Sequence, residues 1–537
     1  MPQSDLSADV VIVGAGVAGS LLAYKLAGKG VKVLILEAGP RIDRGDAIGR
    51  FQASARKGPN SAYVSSSIAP HPDTDDMTTY FINDGPDPFT GLYLRGVGGT
   101  TWHMGGTASR FRPSDFRTRS LFSVGLDWPM EYDDLVPWYE EAERETGVSG
   151  DPSFDEGAPR RTPFPMAPVP ATYLDRKVAE VLPALGLSLG VFPQFRNTRD
   201  YDERPACCGN ASCVPICPIG AKWDASVHAA KAEAAGARLE ADAVVTAVDI
   251  GAEGLVSRVR YMRPDRSHGE AKGQIFVIAA HAIETPKLLL MSRSENAPNG
   301  VANSSDMVGR NLMGQIDQVT FGLTRDPVYP YRGPVGTSGI AEYRDGPFRA
   351  TQAAVGTSLS NAGWQRAIGP LEHAEYLARK GLWGKRLREG VAAHTARELM
   401  IGSTAEMLPD SANRVVPDFD RRDTGGVPRP RISFRIDDYA QRGLNDAVKR
   451  QNRIFEALVA TEVKTLPMAA STAIILGTAR MGTNPKTSVV DAQLRAHDHK
   501  NLFIVGGANF PTSGVLPPTL TIAALALRSA EIIRRSL

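Results

Sequence analysis

Three observations predict an α/β chain, α+β overall. A strand, a glycine-rich turn, a helix and a second strand follow one another over residues 8–40. Buried-type strands at Gln274 to Ala280 and from Leu502 offer partners far along the chain, and 316–440 consists of alternating segments broken by Gly and Pro. The first two describe a parallel sheet with helical crossovers, the third an antiparallel sheet. The parallel-sheet pieces are scattered from end to end, so the units must be assembled from discontinuous segments.

The N-terminal unit reads Asp9-Val-Val-Ile-Val-Gly14-Ala-Gly16-Val-Ala-Gly19, then an apolar-periodic helix, then Val31-Lys-Val-Leu-Ile-Leu-Glu37-Ala38-Gly39, with the acid 18 residues after the third glycine. Gly14, Gly16 and Gly19 permit a tight turn and close backbone approach to a pyrophosphate at the helix N-terminus, and Glu37 can accept from ribose hydroxyls. This is a Rossmann-type dinucleotide site, with Ala38 and Val245, the latter in a strand-rich stretch at 239–262, as further contacts. A start this close to the first residue of the chain favours FAD over NAD.

After this unit, Arg41 to Asp87 is polar and rich in Gly and Pro, with Tyr63, Tyr80 and Phe81 as apolar anchors, which predicts a lid or extended arm. Gly98-Gly99-Thr-Thr101-Trp-His103 is a second glycine-rich segment, and Glu131 to Thr146 has helical periodicity. The strand at 274–280 feeds a helix from Glu284 to Met291, a helical patch lies near 371–400, and Thr519 to Ser536 forms a C-terminal helix with arginines in its last turns.

All four cysteines fall within eleven residues, Cys207-Cys208-x4-Cys213-x3-Cys217-Pro218. Thiols this close in a Gly/Pro-rich loop can converge on one centre, and a Pro after the last Cys recurs in iron–sulfur ligand runs. A structural zinc, which usually uses two separated C-x2-C hooks, and a disulfide or free thiols are the alternatives. The loop alone leaves open whether three or four cysteines bind iron, because adjacent Cys207 and Cys208 point in different directions in most backbone conformations.

Composition excludes some classes. Hydrophobic residues make up 42%, and 61 Lys+Arg against 59 Asp+Glu leave +2, so no electrostatic argument points to nucleic acid. The first residues show no charged and apolar leader pattern, and no run of 18 or more apolar residues occurs, so neither an export signal nor a membrane span is expected in this chain.

Taken together, the motifs resemble the glucose–methanol–choline (GMC) oxidoreductases, and within them the flavin subunits of bacterial glucose, fructose, sorbitol and gluconate dehydrogenases. The carriers are the N-terminal fingerprint, Gly98-Gly99-Thr-Thr-Trp-His103, Asp127-Trp-Pro, and the cysteine loop with Ala221-Lys222. Ala282-Ile-Glu284-Thr-Pro286-Lys, Gly309-Arg-Asn-Leu, Gly477-Thr-Ala-Arg-Met481-Gly482 and Pro518-Thr519-Leu-Thr521 complete them, in the family's order. The resemblance implies FAD, with Gly98, Gly99, Thr101, Gly507 and Thr519 added to the cofactor contacts. It also implies a FAD-binding domain made of 1–40, 88–125, 190–315 and 465–537 with the cysteine loop at 205–222, an arm at 41–87, and a substrate domain made of 126–189 and 316–464.

The cysteine loop resembles a three-iron (3Fe-4S) cluster site, which implies Cys207, Cys213 and Cys217 as ligands and Cys208 as the spare neighbour. Flavin takes a hydride as two electrons whereas such a cluster passes one at a time, an arrangement suited to a dehydrogenase with an outside acceptor. The resemblance implies a small accessory subunit that carries the export signal, and a cytochrome c subunit. That would place the chain in the periplasm by co-export. Read by itself, it is cytoplasmic.

One departure stands out. The family's catalytic His, three residues before the Gly of the Gly-Thr-x-x-Met-Gly loop, is Ile474 here, with Ala473 and Ile475 beside it. The second His or Asn, just before Pro-Thr-Leu-Thr, is Pro517. None of these accepts a proton, and a general base is typically worth about 10²–10⁴-fold. Ile474, Ile475, Leu476 and Leu516 suggest an apolar pocket, suited to a less polar substrate or to desaturation of a carbon–carbon bond.

Candidate replacements are His103, whose counterpart holds flavin covalently in the related pyranose oxidases, and Arg480, as an anion or reduced-flavin partner or else a plain surface Arg. His71, His268, His373, His394, His497 and His499 are read as solvated or structural, and His281 as strand-end packing. Three functions remain open: a flavin and iron–sulfur dehydrogenase, an electron-transfer subunit with a decayed substrate site, and an inactivated homologue retained as a binding partner.

Overall fold

The computed structural model describes residues 6–55, 57–73, 76–340, 342–361, 370–470 and 474–537; Ala473 lies outside them. At its centre is a five-stranded parallel sheet in the order Leu502–Ile504, Ile275–Ile278, Val10–Val13, Val33–Leu36, Arg238–Glu240. The four residues of Val10–Val13, of Val33–Leu36 and of Ile275–Ile278 are all buried, as continuous apolar runs covered on both faces must be. The helix Val17–Ala27 packs against the C-terminal helix Thr519–Ser536 and against Ser226–Ala234.

A second layer is mainly antiparallel. Val244–Ile250, Val256–Met262 and His268–Lys272 form a meander, on whose edge Leu6–Ser7 adds a parallel strand. The large antiparallel sheet runs Thr461–Thr465, Ile316–Leu323, Glu398–Ala405, Val355–Leu359, Ser338–Ile340, Gly190–Val191, with Ala469–Ala470 also pairing on Ile316–Leu323. Asp438–Ala457 crosses it, started by Asp437, whose carboxylate accepts from the Ala440 N–H at 2.6 Å, and anchored by buried Leu444, Ala447, Ile454 and Phe455.

The fold differs from the sequence reading in three places. Gly190–Val191 and Ala469–Ala470, assigned above to the nucleotide-binding part, pair into the antiparallel sheet, because two-residue strands carry too little pattern to reveal their partners. The arm contains a helix, Arg44–Ala53, capped by Asp43, and a short strand, Ile82–Asn83, that joins Arg414–Arg422 and Pro428–Ser433. The helix expected from Glu284 begins at His281. The arm's anchors hold as expected: Tyr80 and Phe81 are buried, and the Tyr63 hydroxyl donates to the Pro215 carbonyl at 2.5 Å.

Arg349, fully buried, ties the antiparallel sheet to the Pro113–Phe116 segment: it pairs with Asp115 at 3.0 Å and Glu406 at 2.7 Å and reaches Asp345 at 3.1 Å. Asp115 belongs to the segment after the second glycine-rich turn, and Glu406 follows the strand Glu398–Ala405. Removing one partner of such a buried pair leaves the other charges uncompensated. Arg349→Met is expected to lower stability by about 3–5 kcal/mol in denaturant unfolding. A loss below about 1 kcal/mol would show that Asp115 and Glu406 protonate or find other donors at little cost.

Candidate active site

The first turn builds the site. Gly14 has φ +105°, and a Cβ there would lie 2.5 Å from the Ala279 carbonyl oxygen; one on Gly19 would lie 1.9 Å from the Gly14 carbonyl oxygen. Gly16, by contrast, faces open space and caps Val17–Ala27 without any side-chain hydrogen bond, leaving the helix's first N–H groups toward a cavity. The Glu37 carboxylate accepts from the Ala15 N–H at 2.7 Å and the Gly39 N–H at 3.0 Å. Burial raises its pKa from the ordinary value, against those donors.

Gly98 and Gly99 close onto this turn. The Gly98 N–H donates to the Ala15 carbonyl at 2.9 Å, and a Cβ on Gly99 would lie 3.2 Å from the Gly16 Cα. Thr101 donates to the Gly98 carbonyl at 2.5 Å and accepts from the Ala225 N–H at 2.9 Å, so Gly99–His103 is held as a short 3-10 helix over the turn.

Between these segments lies a cavity of about 450 Å³. Gly14, Gly16, Glu37, Ala38 and Val245 line it, as do Gly99, Thr101 and His103, and from the C-terminal part Ile474, Gly507, Pro517 and Thr519. Gly19, Gly98 and Arg480 do not: the first two act behind the wall as packing positions. Arg480 is half-buried with its Nε hydrogen-bonded to nothing among the described residues, and burial lowers its pKa. Ile475 and Leu476 join the wall, whereas Leu516 packs instead with Phe192, Ala354 and Val515.

Two histidines reach this cavity. His103 is buried, with Nε2 unpartnered among the described residues; burial, then the Lys222 charge, pushes its pKa down to about 3. His281, expected to pack at a strand end, has φ +69°, stacks on Tyr93 at 4.3 Å and lines the cavity, with its pKa lowered by burial to about 4. His71 is buried rather than solvated, and burial lowers it to about 4. His499 is structural, tying Ala302 to Gly254.

The sequence reading missed a buried charge cluster beside His281. The Glu284 carboxylate accepts from Tyr80 and Tyr93 at 2.5 Å each, pairs with Lys287 at 2.8 Å and lies 3.9 Å from Arg95. Burial works against its charge, but Lys287 and Arg95 hold it well below the usual carboxylate range. Tyr93, Arg95, Glu284 and Lys287 all line the cavity. The available signal was an acid and a base three residues apart in an otherwise apolar helix.

The four cysteines, Arg196 and Lys222 surround one small cavity. Cys213 and Cys217 are buried, Cys207 is half-buried and Cys208 exposed. The Gly209 N–H points at Cys207 Sγ and the Lys222 N–H at Cys217 Sγ, both at 3.4 Å. Burial would raise the Cys213 thiol, but the Arg196 charge and a backbone donor at Val335 bring it below its ordinary value; burial raises Cys207. No group of three or more His, Cys, Asp or Glu among the described residues is placed to hold a single ion. Val214 of this loop lines the main cavity, so the cysteine loop reaches both sites.

Residues 409–526 match the family model for GMC oxidoreductases and residues 9–62 that for FAD-dependent oxidoreductases. The chain is 40% identical to the fructose dehydrogenase large subunit of Gluconobacter japonicus, over all of this chain and 99% of that one. The chain belongs to the GMC oxidoreductases. It is 30% identical to the 2-methyl-1,2-propanediol dehydrogenase of Mycolicibacterium austroafricanum, over 100% and 96% of the two chains. Pyridoxine 4-oxidase from Mesorbium loti shares the fold, with a TM-score of 0.67 at 19% identity over 98% of this chain and 99% of that one. The chain is therefore an FAD-dependent oxidoreductase, and the uncapped helix at Gly16 with Glu37 beside it suits that dinucleotide. No helix among the described residues is long and apolar enough to cross a membrane.

Burial of neutral histidines contributes to the acid response. A group whose folded pKa is depressed gives stability that is complete above its unfolded value, near 6.5 for His, and is lost as pH falls toward the folded value. The loss should therefore develop between about pH 6.5 and about pH 4 for His71 and His281, and continue lower for His103. His103→Gln is expected to lose about 2 kcal/mol less than the parent on going from neutral pH to about pH 5, read from flavin-free unfolding at both pH values. Equal acid sensitivity in both proteins would show that His103 is not the neutral buried group described.

Proposed function

We propose that this chain is the flavin subunit of a dehydrogenase that oxidises an alcohol or polyol and delivers the electrons through an iron–sulfur centre on the cysteine loop to an outside acceptor. The observation that carries it is the reach of the cysteine loop: its Val214 lines the cavity formed by the nucleotide turn. Oxidation of a carbinol to a carbonyl releases a hydride and the hydroxyl proton. FAD supplies the two-electron acceptor for that hydride, and an iron–sulfur centre the one-electron exit. Electrons then leave singly to a haem protein or another one-electron acceptor.

The thiol set fits such a centre. Cys207, Cys213 and Cys217 would be its ligands and exposed Cys208 the spare thiol, a three-ligand arrangement suited to a 3Fe-4S cluster. Sulfurs bound to different irons of a cluster need not converge on one point, so a geometry unsuited to a single ion is compatible with it. Backbone donors point at the Cys207 and Cys217 sulfurs, and the Arg196 charge beside Cys213 favours its thiolate over its thiol.

The residues of this chain bind, exclude and orient. Ile474, Ile475 and Leu476 present an apolar wall, which excludes water and suits a substrate with few hydroxyls better than a free sugar. The name of the 2-methyl-1,2-propanediol dehydrogenase relative is in keeping with that, while the fructose dehydrogenase relative keeps polyols in range. With Ile474 and Pro517 unable to take the hydroxyl proton, His103, which lines the cavity with a ring nitrogen free among the described residues, is the group we assign to contact the flavin and the candidate to accept it. Arg480 is set aside because it does not reach the cavity.

The large-subunit relative supports an assembly with accessory subunits; that one of them is a cytochrome c subunit, and that the chain is co-exported to the periplasm with a small one, are part of the proposal. Loss of activity with retention of cofactors for an electron-relay role is the second reading, and it rests on the missing proton acceptors at Ile474 and Pro517.

Two experiments test this. The purified chain should contain flavin and iron; Cys213→Ser or Cys217→Ser should lose the iron while Cys208→Ser keeps it, and equal loss in all three would overturn the ligand assignment. In the second, Ile474→His with Pro517→Asn should raise flavin reduction by polyols under anaerobic conditions by about 10²-fold. Rapid reduction by fructose or gluconate in the parent protein, abolished in His103→Gln, would show that His103 already serves as the base.

A further inference from the structure

Lys222 is 1% exposed, yet among the described residues its ammonium donates only to main-chain carbonyls: Thr101 at 3.2 Å, Trp102 at 2.9 Å and Met104 at 2.9 Å. Those three carbonyls flank His103 in the segment that lines the flavin cavity. The same residue's N–H donates to Cys217 Sγ. Arg196, fully buried, repeats the pattern: it donates to the carbonyl of Gly105, to that of Val335 at 2.8 Å and to the side chain of Gln194.

Neither cation pairs with a carboxylate among the described residues. The acid nearest in sequence, Asp224, is already held by Arg44 at 2.7 Å. Two buried positive charges with neutral partners are costly to desolvate, and carbonyl dipoles offset only part of that cost. Both line the small cavity that the four cysteines share. Both charges act on Cys213, and the anionic centre that the thiols there would hold would supply negative charge beside both.

We infer that Lys222 and Arg196 are positioning residues that supply the counter-charge of the cysteine-bound centre, lock it to the Thr101–Gly105 segment and raise its reduction potential. This rests on the iron–sulfur reading above. Reduction adds one electron to the centre without adding a proton, so a nearby buried positive charge favours the reduced form and raises the potential; its removal lowers the potential. A residue that touches both the cluster loop and the flavin segment also fixes the distance between them, since neither can shift without breaking bonds at Lys222.

The test uses the full chain with its cofactors. Iron and flavin per chain, and the potential of the iron–sulfur signal by spectroscopically monitored redox titration, are measured for Lys222→Gln, Lys222→Arg and Arg196→Gln. Lys222→Gln and Arg196→Gln should lower the potential, or release iron, whereas Lys222→Arg retains both; a purely structural role would affect stability without moving the potential. Should Lys222→Gln fail to fold, Arg196→Gln tests the same charge from the other side. Iron-loaded Gln variants with the parent potential overturn the proposal alone. A parent protein without iron overturns the cluster reading, and this proposal with it.

Discussion

The molecule is organised around a place where no side chain fits. A Cβ on Gly14 would collide with the Ala279 carbonyl and one on Gly19 with the Gly14 carbonyl, so Val10–Val13, Val17–Ala27 and Ile275–Ile278 approach as closely as main chain allows. Gly98 and Gly99 lie on this turn by the same means, with an N–H to Ala15 and a close contact to the Gly16 Cα. The helix N-terminus, Glu37 and the Gly99–His103 segment therefore converge on one cavity, and later segments of the chain complete its walls. Main-chain proximity exposes N–H groups where side chains would otherwise screen them, which is what an anionic cofactor needs.

Electrostatics divides the cavity wall into unlike parts. Around Glu284, two tyrosines and two cations satisfy one carboxylate, so a charged cluster stands buried with its donors and acceptors matched. Near the cysteine loop the balance is different, with Lys222 and Arg196 bound to neutral oxygens and facing thiols. Between them, His103 and His281 are held neutral by burial.

Ile474 and Pro517 stand where the proposed reading would look for proton acceptors, and neither side chain can take a proton. Neither offers a proton acceptor, whereas the nucleotide turn lines the cavity and the cysteine loop reaches it, as the proposed electron path requires. A chain kept only as a scaffold would not need both. Under the proposed reading the proton acceptor is sought among the histidines already in the wall, of which His103 has a ring nitrogen without a partner among the described residues.

The sequence by itself determined the nucleotide turn, the parallel strands, the cysteine loop and the absence of histidine at position 474, because each is a local pattern of residue types with a direct backbone or chemical meaning. Gly14, Gly16 and Glu37 were legible for that reason, and so were Tyr80 and Phe81 as anchors of the arm. Tertiary structure alone decided that Arg480 stays out of the cavity and Leu516 turns into another cluster, although both stand beside residues that line it. It also decided that His281 takes a left-handed conformation against Tyr93, and that Lys222 bridges to carbonyls about 120 residues away in sequence. The direction of a side chain, and the partner that neutralises a buried charge, are set by segments brought together from elsewhere in the chain, and neither periodicity nor motif spacing encodes them.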